Sequence, residues 1–317
     1  MTTRKEALIT SKQTDAVVIL ATQAVKNAIR KVSPSKDGTQ TGILGDGAEF
    51  KTRLEEASMM IIADLTISNK YESEEVTSTY GYLSGYREGD DFTLFENIAD
   101  LEKELVTLKK LFPELRKLDV DRKYLARIAS GEVTPPNGVA GRWTLVVPWN
   151  LVADTYGAAV ERAMELLNKD RKGKFENLRA GQLGADQLKK SARSTSMFDE
   201  VSTSQEGEIK IVWMQFGLRH AGRSIRRARE VFRVDEFGVG WFEALVAVLL
   251  HADRLRHYDD LWIDCPGDEF KDSPSDESFD LAPFLVFLDG KVWAGTLSVS
   301  HVYAGYGSAS FFLPQES

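Results

Sequence analysis

The segment whose spacing is most suggestive of chemistry runs from Gly217 to Ser224, with the sequence GLRHAGRS. It lies between a predicted strand and a predicted helix. Its spacing fits the phosphate-binding loop template, with Arg223 where the template has lysine. Helix-start N–H groups attract anions, and the neighbouring basic side chains would add positive charge. The predicted anion-binding residues are Arg219, His220, Gly222, Arg223 and Ser224.

Two features weigh against a nucleotide hydrolase at this loop. The guanidinium of Arg223 cannot reproduce the compact charge of a lysine. The strands that follow are typical of an antiparallel meander rather than of parallel βα units. Under the nucleotide hypothesis Mg²⁺ and a nucleotide would be the cofactors; otherwise the sequence indicates no cofactor. The favoured interpretation is structural, with Ser224 capping a helix and the glycines shaping a turn.

Charge is distributed unevenly around the loop. Residues 219–233 carry six arginines and one glutamate, a net charge of +5, and residues 169–193 also carry +5, whereas residues 253–280 carry −7. The predicted basic surface consists of Arg226, Arg227, Arg229 and Arg233. This surface could contact nucleic-acid phosphates. Pairing with acidic groups of the same chain or of a neighbouring subunit is the favoured alternative, because charge runs are usually solvated or self-paired.

The acidic stretch contains the candidate metal ligands and a candidate nucleophile. The carboxylates of Asp264, Asp268 and Glu269 flank a Pro-Gly turn, where oxygen ligands for Mg²⁺ or Ca²⁺ could converge. Their spacing fits neither an HExxH helix nor an EF-hand loop. Cys265, paired with a histidine, is a candidate nucleophile, and His220 and Cys265 are the catalytic candidates. A buried, inert cysteine is the favoured alternative for Cys265.

Apolar stripes predict three helices in the first part of the chain. They fall at 18–32, 50–65 and 94–112, and Pro113 should end the third. Three such helices predict a bundle over residues 1–131. Residues 132–141 contain two prolines and two glycines and are the predicted linker. The polar residues 66–91 form a predicted loop or hairpin whose tyrosines could face a partner.

Residues 142–317 predict an α+β domain that ends in an antiparallel β-meander. Asp289-Gly290 is a strong hairpin signal between 284–288 and 291–295, because Asp-Gly supplies the positive φ of a type I′ turn. A Ser/Thr-rich connector is predicted at 194–208. The other predicted strands are 143–147, 209–216, 296–303 and 308–313, and the predicted helices are 156–168, 224–233 and 239–257.

Composition limits the class of protein without indicating an activity. The 317 residues have a net charge of −8, 43% apolar residues and one cysteine, as expected for a soluble cytoplasmic protein without a membrane span or intrachain disulfide. We expect an interaction or structural protein within a homo-oligomer or larger assembly, carrying an arginine-rich anion-binding strip. The alternatives are a phosphate- or nucleotide-handling enzyme or ligand-binding module that uses residues 217–224, and a nucleic-acid binder.

Overall fold

The computed structural model describes residues 70–83, 86–88 and 94–316, which all belong to one compact unit. The helices predicted at 18–32 and 50–65, and with them most of the predicted bundle, lie outside these residues. The described part mixes helices with several β-sheets. Within it, no helix has the length and apolar character needed to cross a membrane.

The described residues form six α-helices, joined by three short 3-10 segments. The helices are α1 (Leu94–Leu111), α2 (Arg122–Ser130), α3 (Tyr156–Asp170), α4 (Ala192–Ser204), α5 (Ile225–Glu230) and α6 (Trp241–Leu250). The predictions for α1 and α3 are confirmed. As expected, α1 ends ahead of Pro113, which begins a 3-10 turn.

Two helix predictions were too long and one connector prediction was wrong. Helix α6 stops at Leu250, and the next residue, His251, turns its ring onto buried Glu104. Helix α5 has only six residues. The predicted connector 194–208 is mostly helix α4, because the Ser191 side chain caps its first turn and the Phe198 ring packs against the sheet.

Twelve strands form three sheets within the described part. The strands are β1 (Val133–Thr134), β2 (Arg142–Val146), β3 (Phe175–Asn177), β4 (Leu188–Lys190), β5 (Lys210–Gln215), β6 (Glu236–Gly238), β7 (Ile263–Asp264), β8 (Asp268–Phe270), β9 (Leu281–Leu288), β10 (Lys291–Ser298), β11 (Ser310–Phe312) and β12 (Gln315–Glu316). The sheet orders are β1-β12, β2-β5-β11-β6 and β3-β10-β9-β8-β4, with β7 also paired to β9.

The hairpin of β9 and β10 matches its prediction. Asp289 and Gly290 both have positive φ, 50° and 74°, as a type I′ turn requires. Strand β10 ends at Ser298, so the separate strand predicted over 296–303 is wrong. The strands predicted at 143–147, 209–216 and 308–313 are confirmed as β2, β5 and the shorter β11.

Strand β9 separates two apolar clusters, because successive side chains of a strand point to opposite faces. Leu285 faces the main core, to which β2, β5, α3 and α6 contribute. Phe284 and Val286 face a second, smaller cluster that also contains Ile225 and Tyr306. The turn from β7 to β8 lies between the two clusters, and it carries the acidic residues that the sequence singled out.

The predicted division at residues 132–141 stays a prediction, since most of its first domain lies outside the described residues. Within the described part, the side chains on the two sides of this segment share one core. Leu105 and Leu108 of α1 belong to the same buried cluster as Trp143 and Leu145 of β2.

Candidate functional site

In the predicted phosphate loop, the backbone N–H groups are already hydrogen-bonded to other parts of the chain. Ser224 caps α5 by accepting from the Arg227 amide at 3.0 Å. Each of the eight amide N–H groups from Gly217 to Ser224 donates to an acceptor within the chain, among them the Gln215 side chain and the Tyr306 carbonyl. A phosphate-binding loop needs such groups directed at the ligand, and here they are already engaged.

His220 lies inside the protein rather than at an anion-accessible surface. Its Nε2 is 2.7 Å from Glu236 Oε1, which also accepts from the Ser310 hydroxyl at 2.6 Å. Burial lowers the pKa of His220 and favours the neutral imidazole. Burial alone would raise the pKa of Glu236, but the hydrogen bond to His220 and the charge of Arg219, 3.2 Å away, hold it below its ordinary range. The hydrogen bond between Ser310 and Glu236 connects β11 with β6.

The arginines that follow pair with acidic groups of the same chain. Arg226 forms an ion pair with Glu74, and Arg223 and Arg227 both contact Glu75, at 3.1 and 3.2 Å. These glutamates belong to residues 70–83 rather than to the acidic stretch 253–280. The two remaining arginines of the predicted basic surface pair elsewhere: Arg229 donates to the carbonyls of Pro266 and Asp268, and Arg233 to Asp235.

The predicted metal ligands point in different directions. Glu269 pairs with Lys189 at 3.1 Å, whereas Asp264 and Asp268 are both fully buried on separate sides of the β7–β8 turn. Among the described residues, no group of three or more ligating side chains could hold a metal ion. Cys265 is fully buried, and burial raises the pKa of its thiol well above the ordinary value, so the thiol stays protonated.

A buried charge cluster that sequence reasoning missed lies at the start of α6. Lys190 Nζ is 2.8 Å from both Glu243 carboxylate oxygens and 3.9 Å from Asp268 Oδ1. The Asp268 Oδ2 atom accepts from the Tyr156 hydroxyl at 2.5 Å and from the Trp241 amide at 2.7 Å. Burial raises the pKa of Asp268 to about 6, against the lowering effect of Lys190. We call these residues the lysine cluster.

Position 240 must be a glycine because the lysine cluster occupies the space that a side chain there would need. A Cβ atom there would lie 2.7 Å from Lys190 Nζ and 2.8 Å from Asp268 Oδ1, and it would also clash with Glu243. The sequence signal was the pair of glycines, Gly238 and Gly240, directly before an apolar helix. Spacing alone could not show that Lys190, some 50 residues earlier, joins them.

Asp264 is a second buried carboxyl, and its surroundings differ from those of Asp268. Neither carboxyl oxygen has a hydrogen-bond partner in the described part of the chain, and the same holds for the hydroxyl of Ser308, its bridge partner. Asp264 pairs with Phe284 across β7 and β9, so its side chain points into the second cluster. Burial alone raises its pKa to about 8.

The exposed apolar side chains concentrate around residues 70–83. Of eight large apolar or tyrosine side chains that are at least 38% exposed in the described part, five lie in this segment or beside it. These five are Val76, Leu83, Leu218, Tyr258 and Tyr303. The Tyr303 hydroxyl is 3.0 Å from that of Tyr80, and Leu83 N donates to Asp260, near Tyr258. We call the five residues and Tyr80 the tyrosine surface.

Comparison of the chain with protein-family models, with curated proteins and with solved structures finds no match.

Proposed function

We propose that this chain is an interaction protein that self-associates through the tyrosine surface. The observation that carries the proposal is the concentration of exposed tyrosine and apolar side chains around residues 70–83. Tyrosine is enriched at protein interfaces, because its ring buries a large apolar area while its hydroxyl remains hydrogen-bonded. The sequence indicated the tyrosines of residues 66–91 as a possible partner surface; of these, Tyr80 is half-buried beside exposed Tyr303, whereas Tyr86 is buried.

A second copy of the chain is the occupant that the surface fits best. A two-fold contact places the same patch on both subunits, so the patch must complement itself. Tyrosine hydroxyls meet this requirement because each can donate and accept, and Tyr80 and Tyr303 already pair in this way. Tyr258, which is 66% exposed, adds a ring that a partner could cover.

The hypotheses of phosphate handling and nucleic-acid binding gain no support from the geometry. The loop amides donate within the chain, and the arginine side chains have acidic or carbonyl partners. This proposal therefore does not include the predicted anion-binding role of Arg219, His220, Gly222, Arg223 and Ser224, which stays a prediction. The cytoplasmic location also stays a prediction.

Light scattering coupled to gel filtration tests the proposal. We expect a mass above the 35.4 kDa of one chain. The double variant Tyr258→Ser, Tyr303→Ser should elute as a monomer, because it removes two exposed rings from the tyrosine surface. Val106→Ser is the matched control, since Val106 is 53% exposed on α1. A monomeric wild-type chain would refute self-association, and an oligomeric double variant would refute the location of the interface.

A further inference from the structure

The second apolar cluster encloses polar atoms that have no partner. Asp264 and Ser308 are both fully buried, and together they present two carboxyl oxygens and one hydroxyl without a hydrogen bond in the described part. Asp264 and Ser308 are bridge partners, so their side chains leave the sheet on the same face. Buried polar groups are nearly always satisfied, and an exception of this kind requires an explanation.

Aromatic side chains lie on the same face as this pair. Trp262 lies two residues before Asp264 on the same face, with its ring centroid 4.8 Å from Tyr306 and 5.2 Å from Phe284. The Trp262 amide donates to the Gly305 carbonyl and the Asp264 amide to that of Gly307, so Tyr306 and Ser308 lie next to Trp262 and Asp264 on this face. A carboxylate beneath aromatic rings is the arrangement that binds organic cations, because the ring faces attract positive charge.

We propose that Asp264 and Ser308, enclosed by Trp262 and Tyr306, bind a primary ammonium group. The three N–H donors of such a group match the three unpartnered oxygens, two of Asp264 and one of Ser308. A quaternary ammonium could contact the rings and the carboxylate charge, but it has no N–H group to donate to the oxygens. No lysine, arginine or histidine of the described part of the chain forms an ion pair with Asp264, so the ammonium group would be its cationic partner once the carboxyl has released its proton.

The site is closed in this structure, because Asp264 is fully buried. A ligand reaches it only when neighbouring rings move. Trp262, which is half-buried, is the ring of the site with solvent beside it. The ammonium site uses no residue of the tyrosine surface, so it does not depend on self-association.

Isothermal titration of the full-length chain with n-butylammonium tests the site. We expect saturable binding, about tenfold weaker binding of tetramethylammonium, which lacks N–H donors, and no binding of neutral n-butanol. The isosteric variant Asp264→Asn should lose binding of n-butylammonium. Its melting temperature near neutral pH should rise, because the wild-type carboxyl must take up a proton on folding, whereas the amide is neutral in both states.

Proton release provides a second readout. Below about pH 8 Asp264 holds a proton, so ammonium binding should release close to one proton, measured by repeating the titration in buffers of different ionisation enthalpy. Tyr306 and Cys265, the titratable groups that sense the Asp264 charge, keep their protons near neutral pH, because burial raises both pKa values. Binding without proton release would contradict the assignment to Asp264.

A lysine derivative distinguishes the two sources of such a group. Tighter binding of Nα-acetyl-lysine methylamide than of n-butylammonium assigns the site to a lysine side chain of a protein partner, and equal or weaker binding assigns it to a free amine. Absence of n-butylammonium binding by the wild type, or unchanged binding by Asp264→Asn, overturns the proposal. The double variant Tyr258→Ser, Tyr303→Ser changes oligomeric mass, whereas Asp264→Asn should not, so the two proposals fail separately.

Discussion

Asp264 and Asp268 lie four residues apart on the same turn, and both are fully buried. Asp268 accepts hydrogen bonds from Tyr156 and the Trp241 amide and faces Lys190. Asp264 has no such partner within the described residues. The same side chain is thus fixed in place on one side of the turn and left unsatisfied on the other.

This contrast separates a structural carboxylate from a candidate binding carboxylate. Burying a carboxylate costs free energy, which partners offset at Asp268, whereas Asp264 has no partner in the described part and is buried with its proton. A protein tolerates such an uncompensated group where function benefits from it, since binding sites often reduce stability. Two kinds of variant test this contrast. One kind disturbs the charged groups around Asp268, and the other replaces the carboxyl of Asp264 by an amide.

The largest effect should come from Glu243→Gln in the lysine cluster. The change leaves the ammonium of Lys190, whose side chain is only 12% exposed, with Asp268 at 3.9 Å as its remaining carboxylate. Removing one member of a buried ion pair costs about 3–5 kcal/mol of unfolding free energy, because the other charge stays buried. Urea denaturation followed by circular dichroism measures the change.

The control for this variant is Glu269→Gln. Glu269 pairs with Lys189, whose side chain is 49% exposed, so solvent screens the pair and its loss should cost less than about 1 kcal/mol. Equal losses for the two variants would show that the lysine cluster is not a structural ion-pair network.

A smaller loss is expected for Gly240→Ala. The new methyl group would meet Lys190 Nζ and Asp268 Oδ1 at under 3 Å, so the lysine cluster would have to shift. Forcing an extra carbon into packed surroundings costs about 1–3 kcal/mol. Gly81→Ala is the control, because nothing lies within 4 Å of a Cβ at that position and its φ is not positive. A similar midpoint for both variants in urea denaturation would count against the steric argument.

Local patterns predicted much of the described fold. The Asp289-Gly290 turn, the stripe of α1 and the apolar strands β2 and β5 are each encoded within a few residues. Helix α4 was missed because its serines and threonines are typical of connectors, and its cap and the packing of Phe198 become visible only in the folded chain.

The sites were less predictable, because their chemistry depends on partners distant in sequence. The spacing of Arg223 and Ser224 suggested a phosphate loop, but the donors and charges around them are engaged by residues 70–83 and by residues near 306. Asp264 and Asp268 looked alike in the sequence. Only the pairing of β7 with β9 shows that one faces Phe284 while the other faces the lysine cluster.

The smallest expected effect is a change in the pH dependence of stability on Asp264→Asn substitution. Native Asp264, with its pKa raised to about 8 from an ordinary 3.8, keeps a proton that the unfolded chain has lost between these values. Unfolding therefore releases a proton, and this residue makes stability fall as pH rises, by up to about 1.4 kcal/mol per pH unit. The amide side chain of the variant is neutral in both states and contributes no slope.

Glu88 and Glu104, whose pKa values burial raises to about 7, act in the same direction in both proteins and cancel in the difference. Urea denaturation at about pH 6 and about pH 7 should thus show the variant gaining stability relative to the wild type as pH rises. Parallel curves would mean that Asp264 is ionised in the native state, which would remove the contrast with Asp268.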